Sequence, residues 1–548
     1  MATTANPVAR IFRLAQLEKK EISAIYFYAI LNGLIQLSLP LGVQAIVGFV
    51  LGGNMNASLA VLIGLVVLGV LASGALQIGQ MQQIEKIQQK IFVRYSYQLA
   101  DGLPKIDLRQ IDKFYLPELV NRFFEIPILQ KGMAKLLLDL PLASIQILFG
   151  LILLAFYHPV FILFGIFLVT LLWLMLYYTG SRGLATSLEE CARKYKVAAW
   201  LEEVARLIHT FKFYQAPEVA LKNTDKRAGD YLQSRNSHFR ILQFQYAVLV
   251  GFKVLITGTM LIVGVWLLLD QQLNIGQFVA AEIIILVVLG SVEKLIINLD
   301  NVYDVITSLD KIGKLADQPS EKSGSLSFEK TTKGIDVELT NLSFAYQPGK
   351  NLLTDLNLQA RAGERVCVTG SPGAGKSTLL RILSGIYSDF EGSYKIDGTP
   401  VGNFNPQSIR AQIGILLRQQ DIFHGSLFDN IRMGQSNIDR QRLRELSEKL
   451  GLKDFLSQMP EGWDSILDPD GRKLPRNVVH KILLIRALLP NPRLLILEDP
   501  LSGLDEPYRS QFIDLIKNDF TDTTIIVSGI QPELLNACNR VWNISEPA

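Results

Sequence analysis

Two patterns of hydrophobic and polar positions divide this chain. Up to about Leu299, long apolar runs alternate with charged stretches; beyond it the apolar runs shorten to strand length. Six runs approach the ~20 largely apolar residues that a membrane-crossing helix needs. They lie near Ile25–Val50, Leu59–Ile78, Leu136–Tyr157, Val160–Tyr178, Tyr246–Leu269 and Ile275–Ile297. One such run fits a buried soluble helix; six with short polar interruptions read as a membrane bundle. Asp and Lys cost ~2.5–3.5 kcal/mol each at the centre of an inserting helix, and such residues are nearly missing from these runs. Lys253 stands towards one end of the fifth, where a long side chain reaches the interface. Glu282 sits inside the sixth. An intramembrane carboxylate is a functional candidate; the alternative is a residue facing a water-filled central cavity.

The connections differ in charge. Arg10, Arg13, Lys19 and Lys20 precede the first run, and the long second–third and fourth–fifth connections are rich in Lys and Arg. Gly52–Asn56, Tyr157–Pro159 and Asp270–Asn274 carry neither. The positive-inside bias therefore predicts both termini in the cytoplasm. The two long connections have amphipathic helical spacing, and the sixth run continues in helical pattern towards Ile312. That predicts helices extending well beyond the bilayer. Residues 1–20 are polar and charged, without the short apolar core of a signal peptide. Ala316–Lys333, rich in Ser, Lys, Glu and Gly, reads as a linker. The expected division is a cytoplasmic N-terminal segment (1–20), a transmembrane domain (21–315), the linker (316–333) and a nucleotide-binding domain (334–548).

After the linker, Ile335–Leu339 alternates and Leu342–Tyr346 follows as a second strand-like stretch. An apolar run ending in Val366-Cys367-Val368 leads into Gly370-Ser371-Pro372-Gly373-Ala374-Gly375-Lys376-Ser377-Thr378, and Leu379–Leu383 continues with helical spacing. Strand, G-x-x-x-x-G-K-S and helix together make a phosphate-binding loop. Its glycines turn backbone N–H groups towards phosphate oxygens, and the helix adds its positive end. Lys376 is placed for the β- and γ-phosphates and Ser377 for a magnesium ion. The fold class expected is multi-domain: an all-α six-helix transmembrane domain, then an α/β P-loop NTPase domain. Across 548 residues, 49% of them hydrophobic, the net charge is only +3. That is too little for a nucleic-acid binder. Cys191, Cys367 and Cys538 are far apart and match neither a metal pattern nor a disulfide framework.

With these residues in view, the chain resembles the ATP-binding cassette (ABC) transporters of the exporter type, with membrane and nucleotide-binding domains fused. Asn274–Ala280 looks like the opening of the family's sixth helix. Ile422–Ile431, Leu452–Leu456 and Pro460–Asp464 are similar to parts of its cassette. The membrane half is most like the type I protein-secretion exporters. The resemblance implies ATP and Mg2+ as cofactors, Tyr346 as the aromatic that stacks on adenine, and coupling segments at Phe114–Arg122 and Phe211–Glu218. A Tyr at a strand end is equally a core-edge residue. The resemblance also implies a second half-transporter as dimer partner, a lipid environment, an unidentified exported substrate of which a peptide or protein is one class, and a bacterial inner membrane.

Four motifs depart from the family pattern. Leu494–Asp499 matches the second nucleotide motif, but acids are swapped: Glu498 occupies the magnesium slot and Asp499 the slot of the general base, one methylene short. A displacement of about 1 Å can cost ~10²-fold in rate. Arg418 stands where the family has glutamine, with Gln419 and Gln420 following. Gly529 stands in the slot of the switch histidine. Counting back from Arg486-Ala487-Leu488 puts Leu474-Pro475-Arg476-Asn477-Val478 in the signature slot. Pro475 lacks both the hydroxyl and the backbone N–H used there. The pattern predicts ATP binding retained and hydrolysis weakened. The six-helix membrane half favours an exporter subunit, paired with a more regular partner or with itself, while the degenerate signature favours the alternative. The competing reading is a nucleotide-binding membrane regulator or assembly partner that transports nothing.

Overall fold

A computed structural model describes residues 7–52, 57–108, 120–213, 216–329, 331, 333–347, 349–418, 420–436, 438–468, 471 and 473–544. It forms two compact units: the first ends at Pro319, and the second, apart from Asp107 and Leu108, begins at Ser320.

In the first unit the apolar runs lie within longer helices. These are α1 (Pro7–Leu17), α2 (Lys19–Leu51), α3 (Ala57–Gly102), α4 (Glu125–Tyr157), α5 (Val160–Arg206), α6 (Ala216–Leu269), α7 (Ile275–Ile297) and α8 (Leu299–Ala316). Among the described residues, six helical stretches are long and apolar enough to cross a membrane. α6 has 54 residues; at ~1.5 Å per residue it is about 80 Å long, well over the ~30 Å of hydrocarbon. The amphipathic connections are thus continuations of the spanning helices. α7 opens with a capping box: Asn274 accepts from the Gln277 N–H (2.7 Å) and Gln277 Oε1 accepts from the Asn274 N–H (2.9 Å). The helical pattern predicted one run from α7 through to Ile312. The helix does run on through a local irregularity at Asn298: the Asn298 N–H still bonds Lys294 O (3.1 Å) and the Val302 N–H bonds Asn298 O (3.0 Å), while Asn298 Nδ2 donates to Lys294 O (2.9 Å) and to Asp139 Oδ2 (3.1 Å).

Polar side chains tie the bundle together. Ser73 Oγ (2.5 Å) and Gln36 Nε2 (3.1 Å) donate to Asn32 Oδ1; Gln146 Nε2 donates to Gln36 Oε1, and Ser291 Oγ donates to Gln146 Oε1 (2.7 Å). The chain joins α2, α3, α4 and α7. In hydrocarbon such bonds hold helices together where apolar burial gives little. Lys253 on α6 pairs with Glu293 on α7, a partner that sequence position alone did not reveal. Glu282 is half-buried, and its Oε2 has no hydrogen-bond partner among the described residues. Beyond the apolar runs, buried Glu125 accepts from Lys194 Nζ (2.9 Å), Tyr195 OH (2.8 Å) and Ser308 Oγ (2.8 Å). That joins α4, α5 and α8 through a fully satisfied charge.

The second unit is built on two sheets. β1 (Val337–Phe344), β2 (Leu353–Ala360), β4 (Glu391–Ile396) and β5 (Thr399–Pro400) form an antiparallel sheet in the order β2-β1-β4-β5. β3 (Arg365–Thr369), β6 (Ile413–Leu416), β7 (Leu494–Glu498), β8 (Thr524–Ser528) and β9 (Arg540–Asn543) form a parallel sheet in the order β9-β3-β8-β7-β6. The short apolar runs Val366–Val368, Leu494–Leu497 and Ile525–Val527 are its buried centre, as expected of strands covered on both faces. α9 (Lys376–Leu383), α12 (Arg476–Leu488), α13 (Tyr508–Asn518) and α14 (Pro532–Ala537) pack around it, with α10 (Leu427–Arg432) and α11 (Arg440–Lys449) further out. Part of the stretch read as a linker is fastened to this unit. Glu321 makes a two-pronged ion pair with Arg410 (2.8 Å each), and Phe328 packs edge-on against Phe404 (ring centres 5.2 Å).

Candidate functional site

Parallel strands carry their carboxyl ends to one edge of the sheet, where α/β folds place ligands. Ser528 on β8 is in register with Val368 on β3 on one side and with Glu498 on β7 on the other. That register brings the loop after β3, the acids after β7 and the turn after β8 around one cavity of about 630 Å³, within the usual size of a small-ligand pocket.

The loop Gly370–Gly375 needs its glycines. Gly370, Gly373 and Gly375 have φ of +149°, +91° and +93°. A Cβ at Gly370 would come within 2.5 Å of Ile544 O, and one at Gly375 within 2.5 Å of Leu353 Cδ2. Gly375 is the N-cap of α9 and supplies no side chain, so the first-turn N–H groups stay available to an anion. Lys376 Nζ curls over its own loop, donating to Gly370 O (2.6 Å) and Ser371 O (2.7 Å). Its positive charge therefore sits where phosphate oxygens approach such a loop. A cradle of strained glycines, a free helix end and one ammonium fit a polyphosphate.

The acids lie opposite. Ser377 Oγ donates to Glu498 Oε1 (2.5 Å), and the Arg418 N–H donates to Glu498 Oε2 (3.0 Å). Asp499 adopts φ +50°, a conformation Asp tolerates better than most residues. Both its oxygens are engaged. Arg418 Nη2 donates to Oδ2 (3.2 Å) and Gln531 Nε2 to Oδ1 (3.1 Å). Arg418 is 70% exposed and Asp499 24%, so the pair contributes little to stability. What it changes is the occupancy of the carboxylate.

Tyr346 is 42% exposed. Its hydroxyl bonds Thr378 Oγ1 (2.9 Å), and its ring meets Phe344 and Tyr387 edge-on. It therefore stands beside the phosphate loop with part of its ring open. Gly529 is at the cavity wall. Gln419, residues 114–119 and 214–215 of the expected coupling segments, and residues 53–56 lie outside the described residues.

The signature slot is elsewhere: Leu474–Val478 do not line this cavity. Pro475 is the N-cap of α12 and gives the helix no side-chain cap. Arg476, largely exposed, pairs with Asp421 (3.2 Å). Behind it His480 bonds Pro500 O (2.8 Å), and burial lowers its pKa below the usual histidine value. A Cβ at Gly503 would come within 2.4 Å of its ring. Sequence reasoning missed the roles of Gln531 and His480, and the Arg418–Asp499 pair. For the pair, opposite charges in two neighbouring motif slots were the available signal.

The family described as ABC transporter transmembrane region matches residues 22–292, and that described as ABC transporter matches residues 353–502. The chain belongs to the ABC transporters. It is similar to the alpha-hemolysin translocation ATP-binding protein HlyB of Escherichia coli O157:H7, 26% identical over 63% of this chain and 49% of that protein. It is also similar to the leukotoxin translocation ATP-binding protein LktB of Mannheimia haemolytica, 29% identical over 59% and 46%. The chain spans about half the length of these curated relatives. Its fold matches a bacterial Atm1-family ABC exporter solved with ATP bound, at a TM-score of 0.85 over 97% of this chain and 94% of that one, with 16% identity. As an ABC transporter the chain carries an ATP-binding domain after its membrane bundle, and the loop Gly370–Thr378 lies within the matched stretch.

Proposed function

We propose that this chain is one half of an ABC exporter, which binds ATP and Mg2+ at Gly370–Thr378 but turns ATP over slowly at that site. Tyr346 would face the adenine, Lys376 the terminal phosphates, and Ser377 with Glu498 the magnesium ion, as two hard oxygen donors already 2.5 Å apart. Ser377 and Glu498 would hold the ion, which would supply positive charge against the phosphates. The observation that carries the reading is the engagement of Asp499 from both sides, by Arg418 and Gln531. A carboxylate so bonded, and one methylene short, is poorly disposed to polarise a water.

ABC exporters work as dimers, and the departures at Leu474–Val478 favour a second, more regular half-transporter as partner. That partner's own site would then borrow Arg476 as a phosphate-facing cation, or also run slowly. The basic connections favour a membrane orientation with both termini cytoplasmic, and a bacterial inner membrane suits it. The relatives named for toxin translocation favour a peptide or protein as substrate. The six helices of spanning length among the described residues favour transport over a regulator without cargo.

The test pairs a nucleotide-binding titration with turnover for the wild-type chain and Asp499→Asn. Saturable binding, with turnover in the variant within about twofold of wild type, is expected. A loss of tenfold or more on Asp499→Asn would show Asp499 to be a working base and overturn the reading.

A further inference from the structure

Cys367 and Cys538, far apart in sequence, meet in the fold. Cys367 lies on β3 and is fully buried; Cys538 directly follows α14 and is partly exposed. Three hydrogen bonds hold the neighbours of Cys538 to β3. Arg365 Nε donates to Ala537 O (2.9 Å), the Arg365 N–H to Asn539 Oδ1 (3.0 Å), and the Asn539 N–H to Arg365 O (2.7 Å). Residues two apart on a strand share a face, so Cys367 points to the side on which Arg365 reaches Ala537. Cys538 packs against the apolar cluster on that side, with Val527, Leu534 and Ala537. The two side chains lie within interaction range of each other, and neither thiol is in a disulfide. Cys367 Sγ also donates to Gly529 O (3.7 Å) at the cavity wall. Three residues after Cys367, Gly370 opens the phosphate loop.

We propose that Cys367 and Cys538 form an oxidisable dithiol, whose closure to a disulfide weakens nucleotide binding at the loop that β3 feeds. The second clause rests on the ATP-binding reading above. The oxidant is a peroxide. It converts the partly exposed Cys538 thiol to a sulfenic acid and leaves as one water. The Cys367 thiolate attacks that sulfur; the S–S bond forms, the S–O bond breaks, and hydroxide departs with the Cys367 proton as a second water. Two thiols thereby give up two electrons to one peroxide. An S–S bond of ~2.0 Å is much shorter than a contact between thiols. Closure therefore draws the end of α14 onto β3, and Cys367 loses the proton it donates to Gly529 O. Both changes act on the supports of the phosphate loop. By linkage, bound nucleotide opposes closure by the same factor.

The experiment uses the full-length chain in lipid nanodiscs, reduced or treated with hydrogen peroxide. Alkylation, digestion and mass spectrometry seek a peptide linked through Cys367 and Cys538, and a fluorescent ATP analogue reports affinity. The linked peptide is expected, with Kd raised about tenfold and restored by dithiothreitol. Cys538→Ser is expected to bind like the reduced wild type and to ignore peroxide. Absence of the linked peptide would overturn the proposal. So would a linked chain whose Kd stays within twofold of the reduced one. A reduced chain that binds no nucleotide would overturn the ATP reading and the affinity clause with it, while the linked peptide still decides the dithiol.

Discussion

At the scale of single residues, the phosphate loop tolerates little. Gly375 combines a left-handed φ with a tight approach to Leu353. Leu353 can shift, but an L-residue held at that φ costs ~1–2 kcal/mol. Gly375→Ala is expected to lower nucleotide affinity at least tenfold in a binding titration; unchanged affinity would mean the loop does not hold phosphate in this form. His480 gives the cassette a pH dependence. Burial depresses its folded-state pKa, with the Pro500 hydrogen bond and nearby Asp499 opposing. The unfolded chain therefore takes up the proton first, near pH 6.5. The His480 contribution is complete above that value and is lost as pH falls from it towards the folded-state pKa. Thermal unfolding at pH 7.5 and 5.5 should show a smaller drop for His480→Gln than for wild type. Equal drops would mean that His480 is not held neutral.

Among the elements, Glu125 is the joint between α4, α5 and α8. Removing it leaves Lys194, Tyr195 and Ser308 without their shared acceptor. Glu125→Ala should cost roughly 2–4 kcal/mol, read as a lower unfolding temperature in detergent, with Glu125→Gln recovering part of it. A shift within error would mean that the joint carries no load. Apolar run length made the spanning helices legible in the sequence, because hydrocarbon thickness sets that length. The Asn274–Gln277 cap and the glycine loop were legible because their chemistry is local. The tie from Asn298 to Asp139 was not, since it depends on another helix. The clasp on Asp499 was equally hidden. Arg418 and Asp499 meet only because β6 and β7 are parallel neighbours whose ends share an edge. Cys367 and Cys538 looked unrelated for the same reason: β3 and β9 pair across the sheet from distant parts of the chain.

In the whole molecule, an intact phosphate cradle faces a base slot whose carboxylate is already engaged. An ABC transporter of this kind would use nucleotide binding to bring two cassettes together and leave most hydrolysis to a partner's chemistry. The most direct measurement is ATP turnover by the purified full-length chain alone in lipid nanodiscs, beside an equilibrium binding isotherm. The account predicts saturable ATP binding with turnover far below ~1 s⁻¹, the low end of ordinary enzymes. Turnover at or above that rate by the lone chain would contradict it, making this a competent homodimer with Asp499 as an active base.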